Sequence, residues 1–459
     1  MKYIFHIRPW FIDIFLELEE KILEKDTNAT FLYLTMYKQC FNELKEKHKN
    51  TYYLPDEFKK FTSVNHAELC KFDDLIYKHC GYRLNYLIET ERFLPKKVDI
   101  ELFTYAHTKW FMENIKEKSY LISLSCDHFV YSLSGAINLI KGGENIYVQP
   151  VGFPINGNIV LSSPWQLKLI NKYPLDKLYV YKYVESLKSP PTKTIHYMKP
   201  KPKIPLFSAI RNRYRLSKNI FLKKNIFTYL EEKPNFNIIP DRIRKTKLPK
   251  FINLVGLDFI NQKKISGSKI FYIPLQYEPE MSILSFSPFF KDQFELVRLT
   301  SQSISIIDII IVKENPLMIG RRSIDFYKNL CKFHNVYIVE PSTNSREIIR
   351  HSFKVISITG TACIEAAFLG VNSLLFGLAP LRNLLIEDVL TNTSLSSYPA
   401  MLYKSHTQDE ILLRATNSWE EISKSFIIGN FIPIPDKNNE YIIEDKGLLI
   451  ESISSIMLK

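Results

Sequence analysis

Five short and almost entirely apolar segments alternate with helix-like segments between residues 269 and 377. Each segment ends in a polar or glycine-containing turn. The predicted strands span residues 269–276, 306–312, 335–339, 354–358 and 372–376. Apolar strands that alternate with helices are typical of a parallel sheet covered by helices on both faces. The pattern therefore predicts a doubly wound α/β sheet in this part of the chain.

The polar residues that follow these strands are expected to collect at one edge of the sheet. The carboxyl ends of parallel strands lie on the same side, and ligands bind beyond them. In this chain that edge would carry residues 276–280, 313–316 and 359–361. The sequence therefore predicts a ligand site there, of the kind found in one nucleotide-binding half of an α/β enzyme.

A second α/β pattern occupies the N-terminal part of the chain. Strands are predicted at residues 2–7, 30–36, 51–54, 120–126 and 146–149. The helices predicted between them span 13–25, 37–49, one or two within 67–92, 101–118 and 129–141. Polar residues again follow a strand, because Asp127 and His128 come directly after 120–126. The expected fold class is α/β with two facing Rossmann-like domains.

The predicted domain organisation has four parts. Residues 1–187 form an N-terminal Rossmann-like domain, 188–250 a Pro-containing basic connector, 251–400 a C-terminal Rossmann-like domain, and 401–459 C-terminal helices. Those helices are predicted at 407–417 and 445–459, after a short one at 384–390, and the last could pack back on the first domain.

The net charge of +13 is concentrated in the connector, which holds 17 of the 61 Lys and Arg but 3 of the 48 Asp and Glu. The rest of the chain is nearly neutral, which argues against a nucleic-acid-binding surface spread over the fold. Residues 208–232 could form a basic amphipathic helix. Two interpretations stay open: a solvated connector helix, or a contact with an anionic membrane surface.

The cysteines and the apolar runs point to a cytoplasmic protein. None of the cysteines has zinc-site spacing, so we expect reduced, buried structural thiols. No run of 18 apolar residues exists and no signal peptide is evident, so we expect no transmembrane helix. The six cysteines are Cys40, Cys70, Cys80, Cys126, Cys331 and Cys363.

The strongest candidate for ligand chemistry is the turn at Thr359, Gly360 and Thr361, where a strand passes into a helix. Helix N-termini offer unpaired N–H groups that suit a phosphate. Thr361 could cap the helix or donate its hydroxyl to the phosphate, and Glu365 could accept hydrogen bonds from ribose hydroxyls. The alternative is a purely structural capping pair of Thr361 and Glu365.

The turn at Lys313, Asn315 and Pro316 is a second candidate for phosphate binding. Lys313 could neutralise a phosphate and Asn315 could hydrogen-bond it, while Pro316 fixes the turn. An ordinary charged loop is the alternative. Arg321 and Arg322 are further candidates for a phosphate contact, and the alternative is that they are exposed and only solvated.

Three carboxylates are candidates for catalysis. Glu278 and Glu280 follow the first strand of the C-terminal domain and would face the same way if the chain stays extended around Pro279. They could act as a base or hold sugar hydroxyls, and a structural role is the alternative. Asp127 could deprotonate an acceptor hydroxyl. No GxSxG, HExxH, Walker or GxGxxG motif occurs, which argues against common hydrolases, zincins and P-loop enzymes.

Three stretches resemble bacterial capsule and surface polysaccharide biosynthesis proteins, the group that includes the capsule Kdo transferases. They are residues 272–280, residues 312–322 with Phe326 and Tyr327, and residues 358–366. The resemblance is specific over 269–377 and weaker over 120–165, around Asp127. It implies the GT-B architecture, with an N-terminal acceptor domain and a C-terminal domain that binds a nucleotide-activated sugar.

The resemblance also implies roles for individual residues. Lys313, Asn315 and Pro316 stand where the family has a Lys-Glu-His-Pro motif beside the donor phosphate. The nucleotide-binding loop and helix correspond to residues 359–361 with Glu365, and Glu280 to a Pro-Glu position. Asn315 replaces the family histidine; an amide donates hydrogen bonds but carries no proton for acid catalysis. The family implies neither a metal ion nor a cofactor.

The predicted function is a metal-independent glycosyltransferase that adds a sugar from a nucleotide-activated donor to a capsular or other surface glycan. A lipid-linked acceptor would explain the basic connector and peripheral contact with the inner membrane face. Three alternatives stay open: a nucleotide-sugar 2-epimerase on the same fold, a non-catalytic glycan-binding component of capsule assembly or export, and a polyol-phosphate transferase.

Overall fold

The chain divides into two compact units, each with its own sheet. The first comprises Met1–Pro174, Pro202–Phe236 and Lys424–Lys459, and the second Leu175–Lys201 and Asn237–Ser423. The computed structural model describes residues 1–9, 11–91, 94, 98–150, 157–163, 166–168, 185, 226–230, 248–287, 290–379, 381–385, 387–388, 395–428, 434–435, 441–442 and 446–457.

The first unit is built on an eight-stranded sheet. Its strands β1 to β7 are Lys2–Ile7, Thr30–Thr35, Thr51–Tyr53, Tyr120–Ser123, Glu144–Pro150, Gly157–Ser163 and Gln166–Leu167. They lie in the order β3–β2–β1–β4–β5–β6, and neighbours are parallel from β3 to β5. The edge is antiparallel, because β6 pairs with β5, with β7 and with the late strand Phe426–Ile428.

Seven helices of the first unit precede or separate these strands. They are α1 to α7, at Ile12–Leu23, Lys38–Leu44, Leu54–Phe58, His66–Cys80, Leu84–Glu89, Ile100–Asn114 and Phe129–Ile140. Side-chain caps begin two of them, since Asn65 accepts from Glu68 N and Asp99 accepts from Leu102 N. A short 3-10 helix, Ile226–Thr228, also belongs to this unit.

The second unit is built on a seven-stranded sheet in which every pair is parallel. Its strands β8 to β14 are Leu254–Val255, Ile270–Pro274, Ile309–Lys313, Val336–Val339, Lys354–Ser357, Asn372–Leu375 and Glu387–Asp388. They lie in the order β14–β13–β12–β9–β10–β11–β8. The central strands are buried along almost their whole length, as their apolar composition requires.

The helices of the second unit, α8 to α15, pack around this sheet. They are Leu257–Ile265, Met281–Phe286, Gln293–Ser303, Ile324–Leu330, Ser345–His351, Ala362–Phe368, Tyr398–Tyr403 and Gln408–Ile422. Short 3-10 helices of this unit lie at Pro316–Met318, Arg382–Leu384 and Leu395–Ser397. The 3-10 helix Ser423–Ser425 marks the return to the first unit, to which the small antiparallel pair of Ile434–Pro435 and Tyr441–Ile442 also belongs.

The last helix, α16 (Lys446–Met457), returns to the first unit. Its apolar side chains Leu449, Ile450 and Ile453 belong to the same core cluster as Phe15 and Ile22 of α1. The first unit is therefore completed by residues from the end of the chain.

Each sheet contains one point at which the chain reverses its direction of travel across the strands. In the second unit the chain passes from β9 to β10 and β11, and then returns to β12 on the other side of β9. In the first unit it passes from β1 to β2 and β3, and then to β4 on the other side of β1. The loops after β9 and β12, and after β1 and β4, leave in opposite directions there, and open α/β sheets bind ligands at such points.

The prediction of two α/β sheets is confirmed, including all five strands predicted between residues 269 and 377. The helix predicted at 384–390 is wrong, because Glu387–Asp388 pairs with β13 as an edge strand. Short apolar runs fit a strand as well as a helix, so periodicity alone does not separate them. The predicted basic helix lies outside the described residues apart from 226–230.

The prediction that all six cysteines are buried is wrong for two of them. Cys40, Cys126 and Cys363 are buried and Cys80 is half-buried, whereas Cys70 and Cys331 are exposed. None of the helices in the described parts of the chain combines the length and apolar character that a membrane crossing requires.

Gly377 is a position where the fold has no room for a side chain. A Cβ there would lie 2.4 Å from Thr359 Cγ2, 2.8 Å from Ile358 O and 2.9 Å from Phe286 O. We expect Gly377→Ala to lower the free energy of unfolding by about 1–3 kcal/mol, because backbone atoms must move. Urea unfolding measures this. Gly447→Ala, with open space around it, is the control; an equal loss in both variants would contradict the prediction.

Candidate functional site

Gln276 ties the two strand ends at the reversal point of the second unit. It follows β9, and its side chain reaches the residues after β12. Its Oε1 accepts hydrogen bonds from Thr359 N at 3.0 Å and Ser357 Oγ at 3.2 Å, and its Nε2 donates to Thr359 Oγ1 at 2.9 Å. Gly360 N donates to the same Ser357 hydroxyl at 3.0 Å. The loop that holds Thr359 and Gly360 is thus fixed against β9.

Gly360 is required by this arrangement. A Cβ at that position would lie 2.5 Å from Ser357 Oγ, the acceptor of its own N–H group. Thr361, the next residue, is exposed and makes no side-chain capping hydrogen bond with α13. The interpretation of Thr361 and Glu365 as a reciprocal capping pair is therefore wrong, and the Thr361 hydroxyl is not used to cap its own helix.

Lys313 and Glu365 lie close enough to influence each other electrostatically. Lys313 ends β10 and is half-buried; burial lowers the pKa of its ammonium group, and Glu365 opposes that shift. Burial likewise raises the pKa of Glu365, against the effects of Arg346 and Lys313. Arg346 Nε donates to Glu365 Oε2 at 3.4 Å. Two cations and one carboxylate therefore meet beside the reversal point.

The ammonium group of Lys313 differs from the other two charges in its hydrogen bonding. Arg346 and Glu365 bond each other, whereas no residue in the described ranges accepts a hydrogen bond from Lys313 Nζ. A half-buried cation without a hydrogen-bond acceptor is poorly solvated and attracts an anion more strongly than a surface lysine does. This end of β10 therefore favours a negatively charged ligand group.

Asn315 and Pro316 form a tight turn directly after this lysine. Asn315 Oδ1 accepts from Leu317 N at 3.0 Å and so caps the 3-10 helix that Pro316 begins. The amide oxygen is therefore used by the fold. The amide NH2 group of Asn315 is the part of the side chain that could donate to a ligand.

A buried ion pair between Arg322 and Glu314 packs against this turn and stabilises it. Arg322 Nε donates to Glu314 Oε2 at 2.8 Å, and the two side chains are 4% and 0% exposed. Tyr327 Oη donates to Glu314 at 2.6 Å and Asn315 N at 2.7 Å. Burial opposes the charge of Arg322, but Glu314 and Glu278 outweigh it, so the pKa of Arg322 lies above its ordinary value. Arg322 is therefore not a solvated arginine.

Arg322 also fixes the residues that follow β9. Its NH2 group donates to Gln276 O at 3.0 Å and its NH1 group to Glu278 Oε2 at 2.7 Å. Gln293 adds a second clamp, because its Oε1 accepts from Gln276 N at 2.5 Å and its Nε2 also bonds Glu278. The ends of β9 and β10 are thereby joined by charged and amide side chains.

Glu278 and Glu280 line the same open cavity, of about 510 Å³, on the other side of β9 from Thr359. Its wall also includes Met318, Arg321 and Phe326. The chain does not stay extended here as the sequence suggested: it bends at Glu278 and Pro279, and the peptide bond between them is cis. Glu278 is held by Arg322, whereas Glu280 precedes α9 without capping it.

The reversal point of the first unit is occupied by an ion pair. Arg8 follows β1 and Asp127 follows β4, and Arg8 NH2 donates to Asp127 Oδ1 at 2.5 Å. The Arg8 guanidinium also lies over the Tyr131 ring, 4.4 Å from its centroid. Burial opposes the charge of Arg8 and Asp127 outweighs it, so the pKa of Arg8 is raised. Both side chains remain partly exposed, so Asp127 stays accessible to solvent.

A second buried pair adjoins Asp127. His128 Nδ1 lies 3.0 Å from Glu91 Oε1, and its Nε2 lies 3.6 Å from Asp127 Oδ2. Ser125, two residues before Asp127, has a φ of 116°, a strained conformation for a residue with a side chain. Strain of this kind persists only where surrounding contacts hold it, and it is concentrated at functional sites.

Several of these residues were missed or misjudged from the sequence. Arg8, Glu91 and Arg346 are distant in the chain from the residues they contact, so no local motif marks them. Glu314 belongs to the Lys-Glu-Asn-Pro turn but was given no role there. A signal did exist for Arg8 and Arg346, which follow the predicted strands 2–7 and 335–339 and therefore lie at the carboxyl edges of their sheets.

No group of three or more His, Cys, Asp or Glu side chains in the described ranges is arranged to hold a metal ion.

Comparison with solved structures finds distant similarity to enzymes of sugar metabolism. The β-Kdo 2,7 transferase of Thermosulfurimonas dismutans KpsC has 12% identity and a TM-score of 0.36, with 99% of each chain covered. The β-Kdo 2,4 transferase of the same protein has 9% identity and a TM-score of 0.30, covering 74% of this chain and 87% of that one. UDP-GlcNAc 2-epimerase from Methanocaldococcus jannaschii has 12% identity and a TM-score of 0.20, covering 99% and 98%. No protein-family model and no curated protein sequence matches the chain.

The pair of Arg322 and Glu314 gives a stability prediction. We expect Arg322→Met to lower the free energy of unfolding by about 3–5 kcal/mol, because it leaves the Glu314 carboxylate buried without its cation. The double variant Arg322→Met with Glu314→Gln should recover part of that loss. Urea unfolding of both variants measures the effect.

Arg298→Met is the control, because it breaks an arginine–glutamate pair on the exposed face of α10. Its stability should not change measurably. A loss in Arg322→Met that the second substitution does not reduce would contradict the assignment of Glu314 as the group left uncompensated.

Proposed function

We propose that the second unit binds a nucleotide-activated sugar and that the chain is a glycosyltransferase acting on a glycan acceptor. The observation that carries the proposal is Lys313, a half-buried cation with no hydrogen-bond acceptor among the described residues, beside Glu365 at the reversal point of a parallel sheet. Sugar nucleotides present phosphates and ribose hydroxyls at a short distance from each other. A cation next to a carboxylate complements that combination.

In this proposal each charge has a separate role. Lys313 offsets the charge of the donor phosphate, and the Asn315 amide donates a second hydrogen bond to it. Glu365 accepts hydrogen bonds from the ribose hydroxyls, and Arg346 opposes the rise in its pKa that burial causes. The residues from Thr359 to Thr361 line the nucleotide, and Gln276 holds that loop in place. Burial strengthens these contacts, because the local dielectric is lower than in water.

The transfer step exchanges one bond for another. An acceptor hydroxyl oxygen bonds to the anomeric carbon, the bond from that carbon to the phosphate oxygen breaks, and the nucleotide leaves with the electron pair. The leaving charge is stabilised by Lys313. The proton of the acceptor hydroxyl passes to a carboxylate, for which we propose Asp127. Glu278 and Glu280, which line the 510 Å³ cavity, are proposed to hold sugar hydroxyls, with Glu280 the second candidate for the base.

The acceptor is proposed to be a capsular or other surface polysaccharide, in keeping with the resemblance of residues 269–377 to that biosynthetic group. The 2-epimerase alternative uses the same donor contacts but needs no acceptor. An assay of turnover with and without acceptor therefore separates the two reactions.

Nucleotide binding tests the donor site directly. We expect one of CMP, CDP, UDP, GDP and dTDP to raise the melting temperature of the protein through binding to the folded state. Lys313→Met should weaken the binding of that nucleotide by about 10- to 100-fold, because the substitution removes a charge-assisted contact with the phosphate. Titration calorimetry measures the affinity. Binding should also weaken as the pH rises through the lowered pKa of Lys313, where its charge is lost.

Lys328→Met is the matched control, because Lys328 is an exposed lysine of the same unit that pairs with Asp325. Its nucleotide affinity should equal that of the unmodified protein. No binding of any of the five nucleotides, or equal binding by Lys313→Met, would contradict the proposed donor site.

Turnover tests the proposed base. With the nucleotide sugar named by the binding screen and a surface-glycan acceptor, Asp127→Asn should lower the rate of nucleotide release by at least about 100-fold. The nucleotide affinity of Asp127→Asn should be unchanged. Asp56→Asn is the control, because Asp56 is an exposed aspartate, and this variant should release nucleotide at the normal rate. Conversion of UDP-GlcNAc to its 2-epimer without acceptor would instead establish the epimerase.

A further inference from the structure

Three isoleucines of the second unit are exposed to an unusual degree. Ile265, Ile306 and Ile307 are 86%, 77% and 67% exposed, and among the described residues they are the three most exposed large apolar side chains. Isolated apolar residues are common on protein surfaces and need no explanation. A group of the most exposed ones in one place does, because each is kept in water at a cost in free energy.

The three isoleucines lie at one edge of the sheet. Ile265 ends α8 shortly before β9, and Ile306 and Ile307 precede β10. These strands are paired in register, Ile270 with Ile309. The loops that precede β9 and β10 are hydrogen-bonded to each other, since Lys269 N donates to Asp308 Oδ1 at 2.7 Å. We call Ile265, Ile306 and Ile307 the amino-edge patch; it lies at the edge opposite the one that carries Lys313.

The surroundings of the amino-edge patch are positively charged. Lys263 and Lys264 lie in the last turn of α8, and Lys269 follows it. Lys264 also acts on α12: burial and then Lys264 lower the pKa of His351, while Glu347 opposes that shift. Further basic residues precede or follow strands and helices at this edge, namely Lys250, Lys332 and Lys404.

The one carboxylate in the two loops does not offset this charge. Asp308 is buried, and its oxygens accept hydrogen bonds from Lys269 N at 2.7 Å and Tyr403 Oη at 2.7 Å. The Lys269 ammonium lies 4.5 Å from the centroid of the Phe353 ring and 4.7 Å from that of the Tyr403 ring. The edge thus combines projecting apolar side chains with a surplus of lysine ammonium groups.

An apolar patch can be covered by another protein surface or by a membrane surface, and the residue types around the patch distinguish these two partners. The cores of protein interfaces are enriched in aromatic residues, methionine and arginine, and depleted in lysine. An anionic bilayer surface is matched by the opposite set: aliphatic side chains that enter the acyl boundary, and lysines whose stems lie along it while their ammonium groups meet lipid phosphates. Isoleucines surrounded by lysines fit the bilayer.

We propose that the amino-edge patch docks the second unit on an anionic membrane surface, with Ile265, Ile306 and Ile307 entering the interface and Lys263 and Lys264 facing lipid headgroups. The contact is electrostatic and apolar at once, so it weakens with salt without being abolished by it. This proposal does not depend on the donor site, because docking needs neither nucleotide nor acceptor.

Vesicle co-sedimentation of the full chain tests the docking surface. We expect binding to vesicles of phosphatidylglycerol and phosphatidylethanolamine, and much weaker binding to phosphatidylcholine vesicles. The variant with Ile265, Ile306 and Ile307 each changed to Asn should bind the anionic vesicles at least about tenfold less. Leu413→Asn, at an exposed leucine of α15 that is 63% accessible, is the matched control and should bind normally.

A variant that adds a fluorescent side chain tests the contact without relying on a loss of binding. Ile306→Trp should still bind vesicles, and lipids with brominated acyl chains should quench the fluorescence of the added tryptophan. The tryptophan added by Leu413→Trp should not be quenched. Melting temperatures of all variants should match that of the unmodified chain, because these side chains pack against little.

Three results would overturn the proposal. The first is no binding of the unmodified chain to anionic vesicles, and the second is undiminished binding by the triple Asn variant, which would assign docking to another surface. The third is that light scattering finds the unmodified chain as a dimer and the triple Asn variant as a monomer, while neither binds vesicles. The patch would then join two copies of the chain.

Discussion

The Glu314 carboxylate is fully buried at the end of β10, and the carboxyl edge of the second unit depends on how its charge is compensated. An isolated carboxylate in such a place would be neutralised or would unfold its surroundings. Here Arg322 supplies the opposite charge, while Tyr327 and the Asn315 N–H group donate further hydrogen bonds. Because Arg322 must stay at this carboxylate, its remaining N–H groups are fixed in space and become donors for the neighbouring loop.

That loop transmits the constraint across the sheet. Arg322 holds Gln276 by its carbonyl oxygen, and the Gln276 side chain then bonds Thr359 and Ser357 on the far side of the reversal point. Three separate strand ends are therefore positioned by one compensated charge. The Lys313 side chain takes no part in this network, and the charged group that acts on it is Glu365. The pair of Arg322 and Glu314 thus explains the rigidity of the edge.

How much of the structure the sequence predicts depends on this kind of coupling between distant residues. Strands in the second unit were predictable because each is apolar over its own length, and the position of the ligand edge follows from parallel pairing alone. The partners of Glu314, Glu365 and Asp127 were not predictable, since Arg322, Arg346 and Arg8 are brought to them by tertiary contacts that no local period records. Arg322 illustrates the error best: charged residues are usually exposed, and that general rule fails where a carboxylate is buried nearby.

The two reversal points differ in a way that bears on their roles. In the first unit the cation and the carboxylate, Arg8 and Asp127, bond each other, so the pair is close to neutral and its ligand must compete with an existing contact. In the second unit Lys313 has no such partner among the described residues. In the proposed function, the anionic donor would meet Lys313, whereas an acceptor hydroxyl at Asp127 would have to share or displace the contact of that carboxylate with Arg8 before passing its proton to it.

The position of the amino-edge patch restricts the acceptor further. Strand β10 runs from Ile309 to Lys313, which at about 3.3 Å per residue separates the two edges by roughly 13 Å. With the patch in the headgroup layer and β10 along the membrane normal, the donor phosphate of the proposed site would stand about that far above the lipid. A sugar attached directly to a lipid headgroup could not reach it without leaving the surface, whereas the distal end of an already extended glycan could. If both proposals hold, docking through the amino edge would therefore favour elongation of a polymer over addition of its first residue.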